Sequence, residues 1–230
     1  MSGSAAAANP TARRQRRRHV ELLDLLDWKR RIFRLYAEVR ASSDPESVWR
    51  LWRDVRDELY RNHTQSPLRP EERAGFAGNS YFGYDPDLRV LADVTPAPAA
   101  PRAIRGSAGS AIAFRRFGRA GFELAGSEHS LELHWLEGYG GGVFLAFTDE
   151  TTGRESYGGG RYIYDTVKGA DLGSDAGRLV LDFNFAYNPS CSYDDRWACP
   201  LAPPANRLAL PVRAGERRPV ARLDRAAAAR

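Results

Sequence analysis

Residues 141–165 read GGVFLAFTDETTGRESYGGGRYIYD, and residues 179–200 read LVLDFNFAYNPSCSYDDRWACP. Apolar runs of strand length alternate in both stretches with clusters of Asp, Asn, Tyr, Arg and Cys. Working outward, residues 111–117, 121–125, 130–136, 143–148, 161–164, 178–184 and 207–212 read as short strands. Gly pairs and polar turns divide most of them. Short strands at such spacing predict an antiparallel sandwich or a partly closed barrel, not a parallel βαβ fold. Tyr81–Tyr84 and Leu88–Leu91 read as two further strands around the turn Asp85-Pro86. Residues 95–101 hold three prolines, Pro96, Pro98 and Pro101, and predict a loop or edge connector.

Before the strands the period changes. Leu22, Leu25 or Leu26, Ile32 or Phe33, Tyr36 and Val39 recur at helical spacing from Val20 onward. Ser43-Asp44-Pro45-Glu46 is a helix start signal, and Val48, Leu51 or Trp52, Val55 and Leu59 stripe a second helix to about Arg61. The expected fold is therefore mainly β (α+β), with two N-terminal helices packed on the β part. Residues 19–216 are read as one domain, with a helical hairpin over 19–62 and a β domain over 79–216.

The net charge of +5 is uneven. Residues 1–18 carry five arginines and no acid, and the end of the chain from Arg213 carries six against Glu216 and Asp224. Residues 1–18 and 217–230 are read as disordered basic tails, so their charge is no sign of a folded nucleic-acid face. No apolar run reaches membrane-span length, and the N-terminal arginines precede no signal-peptide core. A soluble, cytoplasmic protein with no membrane partner and no specific nucleic acid is expected.

Several residues could carry chemistry. Along 179–184, Asp182 and Asn184 project from one strand face, with Leu179, Leu181 and Phe183 on the other. They line a pocket, or they hydrogen-bond the loop around Asn188-Pro189. Asp149 and Arg161 make an anion site or an interstrand clamp. Gly158-Gly159-Gly160 allows close backbone approach but lacks the Lys and helix of a phosphate loop. Cys191 and Cys199, with seven residues between them, lack the second pair of a zinc site, so no metal is expected. Small buried hydrophobes or a redox-sensitive pair fit them, and whether they form a disulfide stays open. His134 shares a strand face with Glu132 and is read as solvated, while His63 follows the second helix and has Ser66 three residues on.

DETTG (149–153), YGGGRY (157–162), LDFNFAYNPSC (181–191), CPLAPPANRL (199–208) and AGE (214–216) form a long ordered series. In this series the chain resembles a bacterial and archaeal family of uncharacterised proteins catalogued as domain of unknown function 1684. The likeness extends from about Trp28 to Glu216 and is strongest after Phe144. His63 with SPL (66–68) and YDP (84–86) resembles the family's shorter, Arg-rich form. Ser190 and Ser156 depart from its commoner Pro and Thr. The resemblance implies that these polar residues are a shared hallmark set. It brings no cofactor or reaction, and none is expected.

The leading expectation is a small polar or anionic molecule bound in a pocket floored by Asp182 and Asn184. Asp149, Arg161, Tyr157, Tyr187 and Asn188 would line it, and the Cys191–Cys199 loop would form its rim. Hydrolysis with Asp182 as base and His63 brought in from the helical exit is the enzymatic alternative. A structural or protein-interaction module is the third.

Overall fold

The computed structural model describes residues 10–219 apart from Ala108 and Ser110. What was expected of residues 1–9 and 220–230 lies outside the described residues. Helix α1 spans Pro10–Ala41 and α2 spans Pro45–Asn62. Helix α1 thus begins ten residues before Val20, so the helix takes in residues 10–18. Proline suits a first helical turn, and the Ala, Arg and Gln that follow are strong helix formers. Helix α2 starts where the sequence signals it: Pro45 opens it, and the Asp44 side chain accepts from Ser47 N at 3.0 Å.

Strands β1 (Arg89–Arg105), β2 (Ala111–Leu124), β3 (Ser127–Leu136), β4 (Gly142–Phe147), β5 (Arg161–Asp165), β6 (Ser174–Asp175) and β7 (Arg178–Asp182) follow. All pair antiparallel in one curled half-barrel sheet of order β5-β4-β3-β2-β1-β7-β6. The mainly β, α+β class is as expected, while several boundaries differ. The two runs at 111–117 and 121–125 are one strand with an irregularity between Arg116 and Gly118. Tyr81 makes only an isolated bridge, to Glu216.

The proline-rich stretch is part of β1, not a loop. Residues 89–92 pair with β7, whereas 93–105 pair with β2 and have no strand on their other side. Proline is tolerated at sheet edges and bulges, and here the far side of 93–105 carries no strand while the register shifts between Pro96 and Ala100, around Pro98.

Residues 207–212 form no strand. Leu208 and Val212 are buried and alternate with exposed neighbours, which is the pattern the sequence displays. The segment instead bonds across the end of β4: Leu208 N donates to Thr148 O and Glu150 N to Leu210 O. Asn206 fastens it, donating from Nδ2 to Glu132 O and Ala146 O while its Oδ1 accepts from Glu132 N at 2.7 Å. Glu132 and His134 are consequently buried, and His134 is not the solvated residue that alternation suggested.

Helices and sheet share one core. Trp52, Leu59, Leu35 and Tyr36 from the helices join Leu131, Leu145, Leu181 and Phe183. Trp49 Nε1 donates to Asn184 O at 2.9 Å, so α2 is pinned to the end of β7.

Candidate functional site

The polar residues that the sequence groups together occupy three separate places. The first is a buried clamp. Arg161 Nη2 lies 2.7 Å from Asp149 Oδ2 and donates to Val212 O at 2.8 Å, while Nη1 donates to Ala214 O. Asp149 also accepts from Thr151 N, Thr151 Oγ1 and Val212 N. Every strong group of the pair is spent on joining β5, the 149–152 turn and the C-terminal segment. Gly160 at φ +87 serves the same packing: a Cβ there would stand 2.7 Å from Phe147 O and from Ala202 Cβ. The backbone approaches protein rather than a free surface.

The second place is the region of Tyr157, Tyr187, Asn188 and the cysteines. Tyr157 Oη is 3.7 Å from Cys191 Sγ, both cysteines are buried and unbridged, and the Cys191 thiol beside Cys199 helps push the latter's thiol far up. Tyr187 stacks edge-on against Tyr162, and the Arg56 guanidinium lies 4.9 Å over its ring. Asn188 N donates to Glu216 Oε2 at 2.7 Å. Glu216, fully buried, also takes Nε and Nη2 of Arg56 at 3.0 and 2.6 Å and lies 3.2 Å from the Tyr193 hydroxyl. Nothing in the spacing of Arg56 and Glu216 announces this pair, since they stand 160 positions apart. Among the described residues no three His, Cys, Asp or Glu side chains group so as to hold a metal ion.

The third place holds Asp182. β7 ends there and a 3-10 turn, Phe183–Phe185, begins. Asn184 therefore leaves the strand face it was expected to share. Asp182 Oδ1 accepts from Asn184 N at 3.0 Å and Nδ2 at 2.9 Å, and Asn184 goes on to clasp both backbone groups of Asp85. Asp182 Oδ2 faces Arg89 Nε at 3.7 Å. The two residues are direct cross-strand partners of β1 and β7, a pairing invisible without the sheet order. They border a cleft of about 290 Å³ between the C-terminus of α1, the start of α2 and the 172–175 segment that ends in β6. Arg40, Ser42 and Ser174 also line it; sequence reasoning passed over all three, and Arg89 with them.

His63 is far from this chemistry in its contacts. Its Nε2 is 3.2 Å from Asp27, its Nδ1 accepts from Gln65 N, and Trp28 packs edge-on against the ring. It closes the end of α2 and does not pair with Asp182.

Burial pushes the Asp182 carboxyl up to about 6, against the hydrogen bonds from Asn184 and the charge of Arg89, which pull it down. A carboxyl raised on folding favours the native state in its protonated form. Between pH ~4 and ~6 the native state binds more protons than the unfolded chain, so stability falls as pH rises through that window. The cost at neutral pH is on the order of 3 kcal/mol. Asp182→Asn keeps an oxygen for Asn184 and removes the buried charge. We expect urea denaturation to show the wild type losing stability from pH 5 to pH 7 relative to the Asn variant. A constant difference between the two proteins, or a loss of about 1–3 kcal/mol in the variant at neutral pH, would mean that the carboxylate only serves the loop.

No helix among the described residues is long and apolar enough to cross a membrane. No curated protein matches the chain. An uncharacterised protein of Haloarcula marismortui, solved in solution by NMR, is 37% identical; the match covers 75% of this chain and 93% of that one, with a TM-score of 0.54. A family model described as protein of unknown function (DUF1684) matches residues 74–217, so the match begins after both helices rather than at Trp28. The chain belongs to that family.

Proposed function

We propose that the protein binds a small polar molecule with an anionic group in the cleft between α1, α2 and the β1–β7 pair. The observation that carries this reading is Asp182 itself. It is 2% exposed, yet among the described residues the ion-pair partner of its second carboxylate oxygen is Arg89, at 3.7 Å. A buried charge with an incomplete set of partners costs stability and is kept where it serves a ligand. A volume of about 290 Å³ suits a molecule of metabolite size. Arg89 and Arg40 would take the anionic group, and Asp182 Oδ2 would accept from a hydroxyl or amine. Asn184 holds the carboxylate in place from behind. The charge would come from Arg89 and Arg40, which are part-exposed although Arg40 also donates to Asp171 O, rather than from the buried Arg161.

The test is a thermal-shift screen of wild type, Arg89→Gln and Asp182→Asn against small carboxylated and phosphorylated metabolites. Binding to the native state raises the melting temperature, by about 2.7 kcal/mol of stabilisation at a hundredfold excess over Kd. At least one compound is expected to raise the wild-type transition and to lose that effect in Arg89→Gln. Shifts that persist unchanged in both variants, or none across the panel, would refute the reading.

A further inference from the structure

The ordered start of α1 changes the meaning of the N-terminal arginines. Arg13, Arg14, Arg16, Arg17 and Arg18 lie within the helix, in a run of eleven residues, 10–20, without an acid. The next two turns carry Val20, Leu22, Leu23, Leu25 and Leu26, which are 41–62% exposed. They are half of the exposed large hydrophobic residues in the described chain, gathered on one helix, and such a patch marks a surface that is covered in use. Of the acids of this segment, Glu21 is exposed, while Asp24 and Asp27 have partners on the body. Asp24 accepts from Thr64 Oγ1 at 2.8 Å, and Asp27 meets His63 at 3.2 Å. Beside the leucines runs a groove of about 740 Å³, walled by Leu22, Leu25 and Trp197 and edged by Arg73 and Arg196 on one part and by Glu21 and Asp24 on another.

We propose that this part of α1 docks on a membrane surface bearing acidic headgroups, lying in its plane with the leucines in the acyl boundary. The cationic run precedes the exposed leucines along the helix, and with an aromatic residue at the edge it offers an acidic interface both charge and apolar contact. Charge decides against the other occupants. An antiparallel pair of α1 helices centred on residue 24 would set Arg18 and Arg14 at the level of Arg30 and Arg34 of the second copy. A parallel pair would set each arginine beside itself. A nucleic acid would meet the arginines and leave the leucines in water. An acidic bilayer answers both features at once. The expectation of solvated tails rested on reading residues 10–18 as unstructured.

The experiment is co-sedimentation of the full chain with vesicles of phosphatidylcholine, alone or with about one third phosphatidylserine. Binding is expected to the acidic vesicles, to weaken with salt, and to be at least roughly tenfold weaker on the neutral ones. Leu22→Ser with Leu26→Ser, and separately the triple change of Arg16, Arg17 and Arg18 to Gln, should each weaken it about tenfold or more. Both leucines are exposed, so the melting temperature of that variant should match wild type, which separates lost docking from lost folding. Equal binding to both vesicle types, no binding, or insensitivity to both variants would overturn the proposal. So would a dimer in light scattering that Leu22→Ser with Leu26→Ser dissolves, since it would give the face to a second copy.

Discussion

Arg161→Met should destabilise the protein by about 3–5 kcal/mol, a large part of the stability of a domain this size. The guanidinium is 1% exposed and holds three elements together through Asp149, Val212 O and Ala214 O. Burial draws its proton affinity down and the Asp149 charge draws it back up. Methionine has the volume to fill the site, so the loss reflects chemistry rather than a cavity. It leaves the Asp149 charge buried without its cation and two carbonyls without donors. Asp149→Asn alone should also be costly. The double variant should lose clearly less than the two single losses combined, because each single change strands the other partner. The check is urea denaturation of all four proteins. Strictly additive losses would show that the pair acts as two unconnected groups.

Trp52→Ala should cost a similar 3–5 kcal/mol by another route. The Trp52 side chain is wholly buried, with Phe185 at 5.4 Å and Tyr81 at 5.9 Å between ring centroids and the Arg56 guanidinium 4.8 Å over its face. Its Nε1 donates to the Tyr36 hydroxyl at 3.2 Å and ties the two helices. Truncation opens a cavity at the junction of α1, α2 and the 3-10 turn after β7, and exposes the cation of Arg56 to a weaker environment. Leu51, one residue earlier and 39% exposed, is the control: Leu51→Ala should change stability by about 0.5 kcal/mol or less. Equal losses at the two positions would mean that α2 is not anchored by this face.

Helix α2 was legible because its stripe is strong: Trp49, Trp52 and Leu59 face inward as the 3.6-residue period requires, whereas in α1 Ile32 and Tyr36 face inward but Leu22, Leu25 and Leu26 of the same reading are exposed. Strands β4, β5 and β7 were legible for the same kind of reason. Three things were not. Prolines argued against a strand at 95–101, since the sequence carries no sign that one side of β1 lies open. The alternation at 207–212 is real burial without a ladder, because Asn206 and the Thr148 backbone supply the bonds a neighbouring strand would have made. The candidate site was half legible. Asp182 stands out by its composition and strand position, but Arg89 and Arg40 reach it through pairing and packing between distant segments. Tyr187 and Arg161 were grouped with it by closeness in sequence, and the fold gives them other partners.

The Arg56–Glu216 pair has a consequence for synthesis on the ribosome. Its members stand 160 positions apart, a stretch that takes about 8–30 seconds to translate. Through that interval α2 has emerged with its tryptophans and a cation awaiting their partners, while the Arg161–Asp149 pair waits for Val212 and Ala214 to supply its backbone partners. Contacts of such long sequence separation fold slowly and leave apolar surface open to aggregation. Nascent chains stalled before Val212 should therefore be held by chaperones and be cut readily by protease, and release of the last few residues should convert them to the resistant form.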